Sequence, residues 1–99
     1  MKRTSVSYSR GFKLLLGDDH SQAATLVLAP GETTGGPENR HSGADQWIYV
    51  VSGSGILVLI QRGDGHGFRN TGASDLCLLT FYTPPAYDDE ANELPAGMP

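Results

Sequence analysis

Two histidines of this chain, His41 and His66, each come just before a strand-like run and have amide side chains close by in sequence. Asn39 and His41 are separated by one residue, so on extended backbone they project to the same side. Gln46 follows at the start of QWIYVV, with Ile48 and Val50 on its face, and His66, Phe68 and Asn70 share a face in HGFRN. Imidazole nitrogen is a strong ligand for divalent transition metals, whereas an amide offers a weaker ligand oxygen together with hydrogen-bond donors. If the two segments face one another across a barrel, Asn39, His41, Gln46 and His66 converge as two imidazoles and two amide oxygens. Thr80 and Tyr82 share a face of LCLLTFY that lines the same pocket or forms plain core. Taken alone, His41 reads as an exposed loop histidine, and so does His20 in the turn GDDH.

The glycines of SGSG, after the first of these runs, raise a second chemistry, the phosphate-binding glycine loop. That loop needs a third glycine and a helix beginning inside it, whose free N–H groups hold the phosphate. Here Gly53-Ser54-Gly55 runs into ILVLI, a strand former, so the glycines read as a tight link between antiparallel strands.

The elements that must position these residues are short. Phe12–Leu16, Ala24–Ala29, Trp47–Val51, Leu57–Ile60 and Leu76–Tyr82 are apolar runs rich in Val, Ile, Leu and aromatics, each ended by a turn signal. Thirteen glycines and six prolines leave little uninterrupted room for an amphipathic helix. The expected class is all-β, a small barrel or jelly roll, in one domain with a core at about 11–84 and an acidic tail at 85–99. Tyr87 and Leu94 are the two side chains that could pin that tail to the barrel. Trp47 and Tyr49 fall on the face opposite Gln46, which suits sheet packing or a subunit interface better than substrate stacking. Cys77, between Leu76 and Leu78, reads as a small buried hydrophobe with no cation to activate it.

Charge narrows the partners. A formal net charge of −4 with only seven Lys and Arg argues against nucleic acid, and no basic block suits an anionic membrane surface. The start MKRTSVSYSRGF has cations but no apolar stretch of leader length, and one cysteine makes no internal disulfide, so a soluble cytoplasmic protein is expected.

Across residues 24 to 83 the sequence resembles the cupins, small conserved barrels that include metal enzymes, isomerases and ligand binders. The first cupin motif has an entry rich in glycine, a His-x-His unit, a Glu and a closing Gly. Gly31, Gly35 and Gly36 match the entry, Asn39-Arg40-His41 the His-x-His unit with its first His replaced, Gln46 the Glu, and Gly53 the closing Gly. The second motif, Pro-x-Gly followed by His and Asn, is matched by Gly63, His66 and Asn70, with Gln61 in place of the proline. The resemblance implies a cupin-type barrel with a divalent transition metal (iron, manganese, nickel or zinc) on His41, His66, Gln46 and Asn39. Two amides replace strong ligands, so the set carries no negative charge and the metal is expected to be weakly held.

The link between the motifs is also short, because LVLIQRGDGHGFRN follows Gly55 almost directly and a hairpin usual for the family is missing. Such a barrel has an open sheet edge, for which a second copy is the expected cover, giving a homodimer. Three functions follow from the resemblance: a metal-dependent oxygenase- or isomerase-like enzyme acting on a small polar molecule, a metal-free binding or regulatory module, and a degenerate barrel that only oligomerises.

Overall fold

The computed structural model describes residues 1–36, 43–52, 57–62, 65–88 and 92. Every regular element among them is a strand: β1 (Gly11–Gly17), β2 (Gln22–Leu28), β3 (Thr33–Gly36), β4 (Asp45–Val50), β5 (Leu57–Ile60), β6 (His66–Arg69) and β7 (Leu76–Thr83). Five form one antiparallel sheet in the order β1-β2-β7-β4-β5, and β3 pairs with β6 in a second sheet.

β7 is the central strand, and its alternation explains the core. Leu78, Thr80 and Tyr82 point inward and are buried, while Phe81 on the other face is 40% exposed. The register carries this pattern across three strands. Gln22, Tyr82 and Gln46 form one inward row; Ala24, Thr80 and Ile48 form the next; Leu26, Leu78 and Val50 form the third. One end of the core is closed by Ala24, Ala44, Tyr82 and Ala86, with Leu14 and Tyr87 packed on them.

The turn from β1 to β2 follows from its sequence. The Asp18 carboxylate accepts the backbone N–H groups of His20 and Ser21 at 2.8 and 3.0 Å, while Asp18 N–H donates to Ser21 C=O at 2.9 Å. Those two N–H donors, His20 first, hold the Asp18 carboxyl below its ordinary pKa. A side chain at Gly17 would stand 2.6 Å from the Ser21 carbonyl oxygen, so the chain reverses there on glycine.

β3 is a strand that the sequence conceals. TTGG has neither apolar alternation nor bulk, and its extended form rests on pairing with β6, Thr34 opposite Phe68 and Gly36 opposite His66. The segment 85–99 also departs from a solvated tail at its start. Ala86 is buried, and Gln22 exchanges two hydrogen bonds with the Tyr87 backbone, at 2.9 and 3.2 Å. The Tyr87 ring lies 5.3 Å from Tyr82 and 5.0 Å from Phe12, so the fold extends beyond 84. Leu94 lies outside the described residues.

An eight-stranded jelly roll divides its strands between two sheets. Here the large sheet has five strands and the small one two. β4 pairs directly with β5, and only residues 51–56 separate them, too few to cross to the small sheet and return as a hairpin. Among the described residues β6 pairs with β3 alone. β4 and β5 pair antiparallel, and Gly53, Ser54 and Gly55 of the SGSG link between them lie outside the described residues.

Candidate functional site

The inward rows bring Gln46, Thr80 and Tyr82 into one buried polar cluster. Gln46 is on β4 and the other two on β7, placed side by side by the register and by the two-residue period of each strand. The Gln46 amide donates to Thr80 Oγ1 at 2.8 Å and to the Tyr82 hydroxyl at 3.3 Å. Its carbonyl oxygen, Oε1, is buried and has no hydrogen-bond partner. Gln46 is 4% exposed, Thr80 2% and Tyr82 3%. An unmet buried acceptor costs roughly 1–3 kcal/mol, so an occupant that donates to Oε1, or coordinates it, gains about that much.

The described side chains in the strand rows beside this oxygen are neutral. Ile48 is buried in the next row beside Thr80, and Val50, half-buried, pairs with Leu78 one row on. The Thr80 hydroxyl accepts from Gln46 and keeps its own proton to donate. The cluster therefore offers an acceptor and a hydroxyl donor within one carboxamide's reach.

His66 and Phe68 stand on β6, in the other sheet, with ring centroids 6.2 Å apart. Both are half-buried and line an open depression of about 450 Å³ with Thr33, Thr34 and Arg69. His41 and Asn39 lie outside the described residues. Among the described residues no three His, Cys, Asp or Glu side chains form a metal-holding group.

Asn70 has a different place from the pocket position assigned to it by the sequence. Its side-chain amide donates to Leu28 C=O at 2.9 Å and Ser74 C=O at 2.8 Å, and its oxygen accepts Gly72 N–H at 2.9 Å. Its backbone N–H donates to Glu32 C=O, and its own C=O accepts Gly31 N–H. The residue ties β6, the β6–β7 turn and the end of β2 together, and both ends of its carboxamide are committed to backbone. Buried-strand periodicity could not reveal this, because Asn70 falls just past β6.

A larger cleft, about 540 Å³, opens beside β1 and is lined by Leu14, Leu16, Gln22, Tyr87 and Asp88, with Lys2 and Asp18 at its rim. Its polar groups are engaged: Gln22 with Tyr87, Lys2 with Gly17 C=O, and Asp18 with the turn. Oε1 of Gln46 separates the two places, since only the inner cluster holds an unmet buried acceptor.

No protein-family model and no curated protein sequence matches the chain. Solved structures do match its fold. A Bacillus halodurans protein is 25% identical, covering 90% of this chain and 76% of its own, with a TM-score of 0.69. A Klebsiella pneumoniae protein described as having a double-stranded β-helix domain gives a TM-score of 0.67 at 15% identity, over 95% of this chain and 85% of its own. The Cupin_2 domain of an XRE family transcriptional regulator from Enterobacter cloacae gives 0.54 at 19% identity, over 75% and 95%.

Proposed function

We propose that this chain, whose fold is the double-stranded β-helix of the cupins, binds a small, neutral polar molecule inside its barrel through the Gln46 carboxamide. The observation that carries this is the buried, unpartnered Oε1 of Gln46. A ligand N–H or O–H would meet that oxygen while a ligand carbonyl takes the Thr80 proton, which suits an amide, a ureide or a hydroxycarbonyl compound. A charged ligand is disfavoured, because the inward rows beside Gln46 contain no ionised group to offset its desolvation. His66 and Phe68, from the small sheet, would give the pocket its second wall. The test is thermal shift with neutral amides, ureides and hydroxycarbonyl compounds, run on the native chain and on Gln46→Leu, with and without chelator. Stabilisation of the native chain alone, indifferent to chelator, supports the reading; equal stabilisation of both chains sinks it.

The same oxygen supports a second reading. A carbonyl oxygen kept clear of donors is free to coordinate a cation, and Gln46 and His66 would then supply one oxygen and one imidazole to a divalent transition metal. His41 and Asn39 complete that set by resemblance to the cupin motif. Such an ion polarises a carbonyl or activates water when bound. Gln46 would be held in its ligating pose by its bonds to Thr80 and Tyr82. A neutral set of this kind binds weakly, so metal content should follow the supply in the medium and be lost in the His41→Ala, His66→Ala double variant. Elemental analysis showing no metal after growth in supplemented medium removes this reading.

A further inference from the structure

The cleft beside β1 has an apolar wall and a charged rim, and the Gln46 cluster uses neither. Leu14, Leu15 and Leu16, all half-buried, border it in succession. A regular strand sends every second side chain to its far face, so three consecutive neighbours of one cleft require a local departure. β1 has one: its register with β2 shifts between Leu14, opposite Ala24, and Leu16, opposite Ala23. A bulge of this kind re-aims side chains, and bulges are over-represented beside functional sites. Pro85 and Tyr87 complete the apolar lining.

The rim is acidic on two sides. Asp18 and Asp19 come from the β1–β2 turn and Asp88 from the segment after β7, while Lys2 is the one cation among the described lining residues. The Lys2 ammonium already occupies a seat there, donating to Gly17 C=O at 2.7 Å. The Asp18 carboxyl, held low first by the N–H groups of His20 and Ser21, also feels the Lys2 charge. Residues 1–10 enter no strand and are exposed throughout, and Lys2 and Arg10 are the side chains that tie them to the described sheet. An exposed ammonium contact on a long side chain is weak and readily exchanged.

We propose that this cleft binds a small primary amine with an apolar body, its ammonium taking the seat that Lys2 holds at Gly17 C=O. Each half of that ligand matches an observation. The apolar body covers the three leucines and Pro85, and the cationic head suits a rim of three carboxylates against one ammonium. The head must carry N–H, because the group that it meets is a carbonyl oxygen. A metal ion suits the cleft less well. Among the described residues no three His, Cys, Asp or Glu side chains form a metal-holding group, and leucine offers an ion no ligand. An anion is opposed by the rim. The volume of 540 Å³ falls within the roughly 300–1,000 Å³ of small-molecule sites. Lys2 is then an internal competitor, which lowers the apparent affinity by the fraction of time that the seat is filled.

The test is a heteronuclear NMR titration of the full chain with hexylamine, charged at neutral pH, against hexanol, hexanoate and hexyltrimethylammonium. Hexylamine should shift the amides of Gly17, Asp18 and Asp19 saturably, and the three controls should bind several-fold more weakly. Lys2→Ala should tighten hexylamine binding several-fold by vacating the seat. Asp19→Lys should weaken it with unchanged far-ultraviolet circular dichroism. Both residues are exposed, so each variant should fold, and each tests the seat independently. Absence of a saturable shift at the three amides overturns the proposal. Equal binding of hexanol overturns it too, since that marks an apolar hollow without a cation seat. Unchanged or weaker binding to Lys2→Ala overturns it as well. Gln46→Leu should leave hexylamine binding unaltered, so its loss there would assign the amine to the inner pocket and overturn this site.

Discussion

The Gln46 amide nitrogen lies 2.8 Å from Thr80 Oγ1, and this bond leaves the carbonyl end of the same carboxamide buried without a partner. One hydrogen bond therefore fixes the side chain while its acceptor stays unmet. Restoring the carboxylate typical of the cupin motif tests what that acceptor is for. Gln46→Glu should lower the stability of the empty protein at neutral pH by about 1–3 kcal/mol, because it loses the amide donors and buries a carboxyl. If the cluster coordinates metal, the same change should tighten binding at least tenfold by calorimetry. If it binds a neutral ligand, binding should weaken, and the two outcomes exclude one another.

Thr25 presents a second unmet acceptor, its Oγ1, at a position with no solvent exposure. It lies on the face of β2 opposite to Ala24 and Leu26, paired with Leu79, and is buried there too. Thr25→Val exchanges an unpaired hydroxyl for a methyl of the same shape and should raise stability by about 1 kcal/mol. For a domain of this size that corresponds to a rise of roughly 4–8 °C in Tm, measurable by calorimetry. An unchanged or lower Tm would mean that the hydroxyl has a partner in solution.

Asn70 should behave as a structural residue. Asn70→Ala frees the carbonyls of Leu28 and Ser74 and the N–H of Gly72 together. A loss of about 2–4 kcal/mol in urea unfolding is expected. Asn70→Asp should do no better, since a carboxylate cannot donate to two carbonyls. Ligand or metal affinity of the folded fraction should stay within a few-fold of the native value. A large affinity loss with little change in stability would return Asn70 to the pocket.

Tyr87 tests where the domain ends. Its ring packs on Tyr82 and Phe12, so Tyr87→Ala should cost about 2 kcal/mol. A thermal shift near zero would restore 85–99 to a solvated tail.

Acid stability carries the mark of the β1–β2 turn. The folded Asp18 carboxyl is lowered by the N–H groups of His20 and Ser21, so its stabilisation is complete above the ordinary Asp range and lost as pH falls through the lowered value. Asp18→Ala should reduce stability at neutral pH and flatten the fall between pH 5 and pH 2, as followed by circular dichroism (the window is about that of a lowered Asp). Asp18→Asn keeps the acceptor, so it should hold the turn at neutral pH while losing the acid dependence.

The sequence by itself determined the strands whose side chains alternate and the faces they present. β2, β4 and β7 are legible because a two-residue period divides Gln46 and Ile48 from Trp47 and Tyr49, and Thr80 and Tyr82 from Phe81. The cupin spacing located Gln46 and His66 on separate strands, and the short link after Gly55 fits a small sheet of two strands among the described residues. Tertiary structure decided the rest. β3 exists because β6 pairs with it, Ala86 and Tyr87 join the core because Gln22 and Tyr82 reach them, and Asn70 is spent on backbone from three parts of the chain. The unmet oxygen of Gln46 belongs to that second group too. A pattern of residue types fixes which side chains share a face, since that follows from local backbone geometry. Which end of an amide finds a partner depends on contacts between strands distant in sequence, and only the folded chain supplies them.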